Sequence, residues 1–461
     1  MTDLMSDHTL TVDLLVIGWG KAGKTLAAGY PGKVALVEQF RSLYGGTCIN
    51  IACVPTKTLI HSADDGTPFP EAREHRDSLI DKLNEANRAM LDDAVIIDGR
   101  ARFSGPHTVT VSAGEESVQV TAPRIVINTG AVARIPDIEG LDPADIPPLA
   151  AYDTHTTNSA VFHDSTSIQH VDPLPQRLLI VGAGPIGLEF ASMFAGFGSR
   201  VQLLNNRSGL FGHLDEGIGD EVEESLTARG VEVVEGELVR VEKQDGGVRA
   251  TLQGGTELLI DAVLFATGRQ PATEGLGLEE AGIEVTDRGA VSVDEYLRTS
   301  VEGVWAAGDV NGGPQFTYIS YDDHRIIAPQ LDGGEAPHGT DQRVAVPTTT
   351  FLTPPLSTVG MTRQEAEEAG HEVRVLSKKV ADIAAMPRPK TLGITDGRIT
   401  FLLDASTHEI LGAQLWCTDS QELINMVALA MRAGLTAEDL RDGIWTHPSS
   451  TEAFNDVLKG L

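Results

Sequence analysis

Residues 177–206 read RLLIVGAGPIGLEFASMFAGFGSRVQLLNN, and this stretch decides the fold. An apolar run ends in a glycine turn, a helix-forming segment follows, and a second apolar-rich run closes the stretch. Strand, glycine turn, helix and strand in this order predict a βαβ unit of a parallel sheet. The glycines of the turn, Gly182, Gly184 and Gly187, have the GxGxxG spacing that is typical of a dinucleotide-binding site.

The same pattern occurs earlier, at residues 11–38, which read TVDLLVIGWGKAGKTLAAGYPGKVALVE. Here Gly18 permits a tight turn, Gly20 lets a pyrophosphate approach the backbone, and Gly23 allows helix and strand to pack closely. The phosphate is expected at the helix N-terminus, where free N–H groups and the helix dipole favour anions. Glu38 ends the second strand and is placed to accept hydrogen bonds from an adenosine ribose. The repeat predicts two dinucleotide-binding domains, and a glycine turn without a ligand is the alternative.

The two repeats differ where the second strand ends. The later repeat has Asn205, Asn206 and Arg207 at the place where an NADH site usually carries an acid. A carboxylate there would repel the 2′-phosphate of NADPH, whereas Asn and Arg side chains accommodate it. We therefore predict that the second site prefers NADPH over NADH; the alternative is that Arg207 is a solvated loop residue.

The repeats also differ in the length of their helices. Gly18 and Glu38 are 20 positions apart, whereas Gly182 and Asn205 are 23 positions apart. We therefore expect the first helix, which ends near Pro31, to be about one turn shorter than the second.

Four further segments are assigned from composition and periodicity. Residues 71–93 are predicted to form a charged, mostly exposed helix, and residues 94–129 a run of short strands. The Pro- and Asp-rich residues 141–176 and the Pro-containing residues 333–347 are predicted to be connectors. Strands then alternate with helices, which predicts an α+β domain at the C-terminal end.

The composition limits the classes of function. With 461 residues, the chain has the length of about three domains. Asp and Glu number 66 against 35 Lys and Arg, and the formal charge is -31. This charge disfavours nucleic acid and anionic membranes as partners, because both are bound through cationic groups. An acidic, highly soluble surface is the simplest explanation of the charge.

The sequence also carries information about the compartment. Residues 1–10 lack the basic and apolar regions of a signal peptide, and no stretch has the ~18 uninterrupted apolar residues of a membrane helix. Three cysteines are too few for the disulfide framework of a secreted protein. We therefore expect a reducing, cytoplasmic location, in which a close pair of cysteines is a candidate for redox chemistry.

Such a pair lies in residues 45–57, which read GGTCINIACVPTK. A bridge between Cys48 and Cys53 closes a very small loop and adds little stability, which is typical of labile, catalytic disulfides. A helix N-terminus at Cys53 would lower the pKa of its thiol and favour the reactive thiolate. A metal site is the competing interpretation, but two cysteines without neighbouring His or Cys do not make a tetrahedral zinc set. Buried, inert cysteines are the remaining alternative.

Several motifs together resemble the class I pyridine nucleotide-disulfide oxidoreductases over essentially the whole chain. These motifs are GWGKAG, GGTCINIACVPTK, GAGPIGLEF, ATGRQP at 266–271, AAGDV at 306–310 and THPSSTE at 446–452. Within the family, CINIACVPTK, GGPQFTYIS at 312–320 and THPSSTEAFNDVL are most similar to the reactive-chlorine-resistance flavoproteins. That branch is associated with reduction of hypothiocyanous acid and of copper(II).

The resemblance implies an α/β fold with two Rossmann-like domains, one for FAD and one for NAD(P), and a C-terminal α+β dimerisation domain. The implied boundaries are residues 1–150 for the first part of the FAD-binding domain, 151–272 for the NAD(P)-binding domain, 273–342 for the second part of the FAD-binding domain, and 343–461 for the dimerisation domain. The FAD-binding domain is thus expected to be split.

The resemblance also implies roles for single residues near the flavin. The first glycine motif would bind FAD and the second NAD(P)H. Asp309 would hold the ribityl chain, and Thr317 would begin a helix aimed at the pyrimidine edge of the ring. Lys57 would lie beside flavin N5 and pair with Glu189. Further cofactor-binding residues implied in this way are Gly46, Thr47, Gly130 and Gly268.

The electron path is implied by the same resemblance. Cys53 would be the thiol next to the flavin and Cys48 the interchange thiol that faces the substrate. His447 would supply acid–base chemistry, since imidazole titrates near neutral pH, and Glu452 would orient it. In this family the His reaches the dithiol of the other subunit, so a homodimer is implied. The expected substrate is a small oxidant or disulfide, and no metal site is expected.

Other members of the family are the rival interpretations. Dihydrolipoamide dehydrogenase would favour NAD, which the segment from Asn205 to Arg207 argues against. Mercuric reductase typically has a C-terminal vicinal cysteine pair, whereas this chain ends in DVLKGL. Glutathione reductase is not excluded by any pocket residue. A nucleotide-sensing flavoprotein without dithiol catalysis is an alternative from another class, which the intact dithiol and His–Glu set disfavour. Cys417 is interpreted as a buried, inert thiol, or alternatively as an extra thiol near the dimer interface.

Overall fold

The computed structural model describes residues 9–149, 153–207, 209–214 and 217–461. The predicted domain boundary between residues 150 and 151 lies outside the described residues. Residues 1–8, which belong to the segment without a signal-peptide pattern, also lie outside them. No helix in the described part of the chain is both long and apolar enough to cross a lipid bilayer.

The first unit is a parallel sheet with the strand order β19-β8-β2-β3-β4, and its edge strand β19 comes from much later in the chain. An antiparallel β5–β6–β7 meander, extended by β1, packs beside it. Its N-terminal elements are β1 (Thr9–Thr11), β2 (Leu14–Ile17), α1 (Lys21–Gly29), β3 (Val34–Glu38), α2 (Thr47–Asn50), α3 (Cys53–Asp64), α4 (Phe69–Ala89), β4 (Val95–Asp98), β5 (Arg100–Gly105), β6 (Thr108–Ala113), β7 (Glu116–Thr121), β8 (Arg124–Ile127) and β9 (Ala131–Ala133).

The second unit is another parallel sheet, with the order β10-β17-β11-β12-β13. An antiparallel sheet of β14, β15 and β16 packs beside it, and β18 pairs with β9 of the first unit. Its elements are β10 (Phe162–His163), β11 (Arg177–Val181), α5 (Pro185–Gly196), β12 (Arg200–Asn205), α6 (Ile218–Ala228), β13 (Val231–Glu235), β14 (Leu238–Gln244), β15 (Gly247–Leu252), β16 (Glu257–Ile260), β17 (Ala262–Phe265) and β18 (Arg269–Pro271).

The chain then returns to the first unit before it forms the last one. The returning elements are α7 (Leu278–Ala281), β19 (Val304–Ala306) and α8 (Thr317–Leu331). The last unit is an antiparallel sheet, β20-β21-β24-β23-β22, with helices packed against it. Its elements are β20 (Thr348–Thr350), β21 (Leu356–Gly360), α9 (Arg363–Glu368), β22 (Val373–Lys379), α10 (Pro387–Leu392), β23 (Arg398–Asp404), β24 (Ile410–Trp416), α11 (Ser420–Arg432), α12 (Ala437–Arg441) and α13 (Ala453–Val457).

The α/β fold with two Rossmann-like sheets and a C-terminal α+β unit is therefore confirmed. The strands β2 and β11, which precede the two glycine turns, are almost completely buried. Helices cover one face of each parallel sheet, and the antiparallel sheet of the same unit covers the other face. α1 has nine residues and α5 has twelve, so the first helix is about one turn shorter, as its spacing predicted. The return of β19 to the first sheet agrees with a split domain, while the exact boundaries remain predictions.

The prediction for residues 71–93 is partly wrong. The helix there, α4, spans Phe69–Ala89, and one of its faces is buried. Arg76 and Asp77, whose charges predicted exposure, are buried together: the guanidinium donates two hydrogen bonds to Asp77 Oδ1 and one to the carbonyl of Gln169. Burial of this pair is tolerated because each charge is matched by its neighbour.

Candidate active site

The first glycine turn is shaped by contacts that exclude a side chain. Gly18 has a φ of +96°, and a Cβ atom there would lie 2.4 Å from the carbonyl oxygen of Asn128. A Cβ on Gly20 would lie 2.4 Å from Oδ1 of the same asparagine, and one on Gly23 would lie 2.8 Å from Val16. Helix α1 begins directly after this turn, so its free N–H groups face the place where a phosphate is expected.

Asn128 is a residue of this site that the sequence did not reveal. Its Oδ1 accepts a hydrogen bond of 2.9 Å from the amide of Gly23, and its Nδ2 donates one of 2.6 Å to the carbonyl of Ala307. The side chain thus joins the glycine turn to the AAGDV segment, which carries Asp309. Burial raises the pKa of Asp309, and the positive charge of Arg269 opposes that effect.

Glu38 lies at the end of β3, where the sequence placed it. Its carboxylate accepts hydrogen bonds from the amides of Trp19, at 3.1 Å, and Gln39, at 2.8 Å. Burial raises the pKa of Glu38 to about 7, although these amides favour the charged form. A buried carboxyl at this point is a suitable partner for the hydroxyl groups of a ribose.

The second glycine turn leaves room for a ligand. Gly182 has a φ of +107°, and a Cβ on Gly187 would lie 1.9 Å from the carbonyl oxygen of Gly182. Gly184 and Gly268, in contrast, have open space at the Cβ position. The turn is therefore tightly packed on its protein side and open on the side where a nucleotide is expected.

The segment after β12 presents a free cationic side chain. Asn205 is buried and shapes the turn, because its Nδ2 donates to the carbonyl of Gly209 and its Oδ1 accepts from the amide of Arg207. Asn206 and Arg207 are exposed. None of the ion pairs formed within the described ranges includes Arg207, which leaves its guanidinium available to an anion.

The dithiol lies where two helices begin. Cys53 is the first residue of α3, and Thr317 is the first residue of α8. Sγ of Cys53 lies 3.6 Å from Oγ1 of Thr317. Cys48 lies in the short helix α2, and its thiol interacts with the thiol of Cys53, which shifts the two pKa values in opposite directions.

The two thiols differ strongly in acidity. The interaction with Cys48 lowers the pKa of Cys53 to about 6 against the effect of burial, and Thr317 and the positive charge of Lys57 act in the same direction. The same interaction, together with burial, raises the pKa of Cys48. The helix dipoles favour an anion at the same place. Cys53 is thus the more acidic of the two thiols, and Cys48 is the less acidic one.

Lys57 and Glu189 form an ion pair beside the dithiol, with 2.6 Å between Nζ and Oε2. The ammonium also lies 4.5 Å from the ring centroid of Phe351, and the amide of Phe351 donates to the other oxygen of Glu189. Glu189 belongs to α5 of the second unit, and Phe351 follows β20 of the last unit. Side chains of all three units therefore meet at this place.

The remaining predicted residues of the dithiol segment lie against the first glycine turn. A Cβ on Gly46 would lie 2.8 Å from Cα of Gly20, so the two turns are in direct contact. The Cβ position of Gly130 lies 3.8 Å from Oγ1 of Thr47, the first residue of α2. This packing brings the dithiol to the edge of the expected flavin site.

Comparison with known proteins gives the family. A family model described as pyridine nucleotide-disulphide oxidoreductase matches residues 12–323, and the dimerisation domain of the same family matches residues 346–458. The chain belongs to the pyridine nucleotide-disulfide oxidoreductases. The predicted family and enzyme class are thereby confirmed, and the dimerisation domain indicates a homodimer.

Individual members of the family cover nearly the whole chain. A protein of Escherichia coli (strain K12), described as probable pyridine nucleotide-disulfide oxidoreductase RclA, is 42% identical over 96% of this chain and 98% of its own length. A mercuric reductase of Streptomyces lividans is 33% identical over 98% and 95%. The structure described as the Cu(II) complex of the HOCl-induced flavoprotein disulfide reductase RclA matches with a TM-score of 0.90 and 40% identity, covering 98% of this chain and 99% of that chain.

Members of the pyridine nucleotide-disulfide oxidoreductase family use FAD and a pyridine nucleotide, and the residues present fit both groups. The first turn, with the buried carboxyls of Glu38 and Asp309, offers the anion-binding helix end and the acceptors that FAD needs. The open backbone at Gly184 and Gly268 offers the same approach to the nucleotide.

The predicted acid–base residues His447 and Glu452 lie next to each other in the C-terminal unit. His447 Nδ1 lies 2.9 Å from Glu452 Oε1, and the amide of Ser449 donates to the other carboxylate oxygen. Burial acts to raise the pKa of Glu452, but these two hydrogen bonds outweigh it and hold the pKa below its ordinary value. The His447 side chain is 73% exposed. No hydrogen bond within the described residues joins this pair to the dithiol of its own chain.

Cys417 lies apart from the redox pair. Its side chain is fully buried in the core of the C-terminal unit, and burial raises the pKa of the thiol. A protonated thiol without solvent contact is unreactive.

Proposed function

We propose that the chain is an FAD-dependent reductase that carries electrons from NADPH through the Cys48–Cys53 dithiol to a small oxidant, such as hypothiocyanous acid or copper(II). One observation carries the proposal: Cys53 begins α3, and its sulfur lies 3.6 Å from Oγ1 of Thr317, which begins α8. This environment stabilises a thiolate at one cysteine and leaves a proton on the other, as a redox-active dithiol requires.

In this proposal, the chain's own groups divide the work. Bound FAD would supply the relay of electrons between the nicotinamide and the disulfide. Glu38 and Asp309 hold its ribose and ribityl hydroxyls, and the Lys57 ammonium, kept in place by Glu189, holds a positive charge beside the reacting ring. Thr317 and the start of α8 stabilise negative charge at the Cys53 sulfur. The glycines of the two turns hold the pyrophosphates.

The last step takes place at Cys48. With hypothiocyanous acid, the Cys48 thiolate attacks the substrate sulfur and releases hydroxide, and the Cys53 thiolate then attacks Cys48 and releases thiocyanate. With copper(II), the dithiol gives one electron to each of two ions and loses two protons. His447 of the partner subunit accepts the proton of Cys48 or protonates the leaving group, while the partner's Glu452 stabilises the cationic imidazole.

The choice of NADPH is supported by the exposed Arg207, whose guanidinium is free to bind a 2′-phosphate. The choice of oxidant is supported by the similarity to RclA, an HOCl-induced flavoprotein disulfide reductase with a structure of its Cu(II) complex. The small number of cysteines supports a cytoplasmic location, where the dithiol stays reduced between turnovers.

The test is a panel of NADPH oxidation assays with hypothiocyanous acid, copper(II), mercury(II), glutathione disulfide and lipoamide. We expect turnover to be fastest with hypothiocyanous acid or copper(II), and Cys53→Ser to abolish it. Cys417→Ser is the matched control and keeps the activity, because Cys417 is buried in another core. Preference for lipoamide, mercury(II) or glutathione disulfide would transfer the chain to that branch of the family. Full activity of Cys53→Ser would refute the dithiol path.

A further inference from the structure

Lys24 is a buried lysine whose ammonium lies against the dithiol segment. It belongs to α1, directly after the first glycine turn, and it is only 8% exposed. Its Nζ donates a hydrogen bond of 2.6 Å to Oδ1 of Asn87 in α4 and one of 3.2 Å to the carbonyl of Gly45. Gly45 precedes Cys48 by three residues, so Lys24 fastens the turn that carries this cysteine.

Both acceptors of the Lys24 ammonium are neutral. An ammonium buried without a carboxylate is costly, and the cost falls when an anion forms close by. Burial and the neighbouring Lys21 lower the pKa of Lys24 to about 8, while the charge of Cys48 acts in the opposite direction. Lys24 thus binds the segment that carries Cys48 through the carbonyl of Gly45, and a negative charge on Cys48 favours the charged form of the lysine.

The charged groups around the dithiol divide between the two sulfurs. The charge of Lys57 in the same helix lowers the pKa of Cys53, and the charge of Glu189 in α5 raises it. Cys53 raises the pKa of Cys48, whereas Thr317 of α8 and Lys24 of α1 lower it. Helix α4 contributes the uncharged Asn87 to the Lys24 contact. Lys57 thus lowers the pKa of Cys53, the proposed flavin-side thiol, whereas Lys24 lowers the pKa of Cys48.

We propose that Lys24 is a positioning residue for the interchange thiol: it holds the turn from Gly45 to Cys48 and stabilises the Cys48 thiolate that attacks the oxidant. This inference rests on the proposed function, because it takes Cys48 as the thiol that meets the substrate. The positive charge at Lys24 opposes the rise in the pKa of Cys48 that Cys53 and burial cause, so the loss of this charge raises that pKa further.

The experiment measures the reactivity of Cys48 directly, without hydride transfer. The dithiothreitol-reduced holoenzyme is alkylated with iodoacetamide as a function of pH, and peptide mapping by mass spectrometry separates the Cys48 and Cys53 adducts. In Lys24→Met, we expect alkylation of Cys48 at neutral pH to be about tenfold slower, with the midpoint of its pH profile raised by about one unit. Lys33→Met is the matched control, since Lys33 is exposed and lies just after α1, and its profile is expected to equal that of the wild type.

The outcomes separate this inference from the proposed function. A wild-type enzyme whose Cys48 does not react would overturn the role of Cys48 and hence the electron path. A reactive wild type with an unchanged profile in Lys24→Met would overturn only the role of Lys24. If Lys24→Met fails to retain FAD, Lys24→Gln takes its place, because the amide still donates to Gly45 but carries no charge. The same rise of the midpoint is then expected, and a wild-type profile refutes the inference.

Discussion

At the scale of single residues, Glu189 connects the parts of the site. One carboxylate oxygen binds the Lys57 ammonium, and the other accepts a hydrogen bond from the backbone of Phe351 in the C-terminal unit. A charged hydrogen bond of this kind is stronger than a neutral one and also fixes direction. The position of Lys57 beside the dithiol therefore depends on a residue from the nucleotide-binding unit.

We expect Glu189→Gln to slow the reduction of the flavin by NADPH about tenfold and to lower the free energy of unfolding by about 1–3 kcal/mol, because the Lys57 ammonium loses its charged partner. Stopped-flow absorbance and urea denaturation measure the two effects. Glu224→Gln, which changes an exposed acid of α6, is the control and should leave both quantities unchanged. Wild-type flavin reduction in Glu189→Gln would show that the ion pair has no part in the reaction.

Residues that belong to sequence motifs could be predicted from the sequence, whereas site residues outside any motif could not. The glycines and Glu38 belong to a motif whose spacing suits a dinucleotide, and the family resemblance implied the Lys57–Glu189 pair, which the structure brings together. Asn128 and Lys24 act through contacts with distant segments, at Ala307 and Asn87 respectively. No local pattern marks such contacts, since their partners are more than 60 positions away.

At the scale of secondary-structure elements, the acidity of the dithiol comes from the meeting of two helices. α3 begins at Cys53, and α8 begins at Thr317, 3.6 Å away. The first residues of both helices therefore lie at one sulfur atom, and the partial positive charge of helix N-termini favours the thiolate there. The first of these helix starts was considered from the sequence, and the second was implied by the family resemblance.

This arrangement predicts the pH dependence of the charge-transfer absorbance of the two-electron-reduced enzyme. The pKa of Cys53 is lowered to about 6, so the absorbance should be full above that pH and disappear as the pH falls through it and the thiolate is protonated. Thr317→Val should raise the midpoint by up to about one unit, because the sulfur loses a hydrogen-bond partner. Thr358→Val, in β21, is the control. A thiol of this kind titrates roughly between pH 5 and pH 8. An absorbance that does not change over this range would contradict the assignment of Cys53.

The loop after β12 predicts the nucleotide preference. Replacing Arg207 by Ala should lower kcat/KM for NADPH by about tenfold or more and leave that for NADH nearly unchanged, since a charged hydrogen bond to the 2′-phosphate contributes about 1.5–3 kcal/mol. Arg200→Ala removes an exposed arginine at the start of the same strand and serves as the control. Steady-state kinetics with both nucleotides measure the ratio, and a wild-type strong preference for NADH would refute the role of Arg207.

The types of the secondary-structure elements could be predicted from the sequence, but the burial of charged side chains could not. Alternation of apolar strands and glycine turns predicted the two parallel sheets, and motif spacing predicted the shorter α1, because both follow from local geometry. α4 shows the limit of this reasoning. Its buried Arg76 donates hydrogen bonds to the carboxylate of Asp77 and to the carbonyl of Gln169. Gln169 is 93 positions away in the sequence, so helical periodicity gives no indication of this contact.

At the scale of the whole molecule, the proposed function requires residues of two chains at each site. His447 is largely exposed on the C-terminal unit and, among the described residues, makes no hydrogen bond to its own dithiol, while Glu452 already holds its ring. The dimerisation domain of the family supplies the symmetry that brings such a residue to a second copy. Each dimer then contains two sites, each built from both chains.

This geometry predicts complementation between two inactive variants. Cys48→Ser and His447→Ala homodimers are each expected to lose turnover. After the subunits are exchanged, half of the dimers are mixed, and each mixed dimer holds one intact site. We therefore expect about a quarter of the wild-type activity to return, which an NADPH oxidation assay measures. Mixing Cys48→Ser with Cys53→Ser is the control and restores nothing, since one intact dithiol never forms. No recovery in the first mixture would place His447 outside the partner's site.

The return of β19 to the first sheet has a consequence for how the protein is made. Strand β8 has its neighbour β19 only after residues 304–306 have left the ribosome, long after the intervening β10–β18 unit has emerged. A domain folds as a unit when its sequence is complete, so the inserted unit is free to fold before the unit that encloses it. Until then, β8 exposes an unpaired edge, which is prone to aggregate. We therefore expect the nascent chain to depend on chaperones most while it is still being synthesised, and we expect FAD to bind late, once the segment with Asp309 has been made.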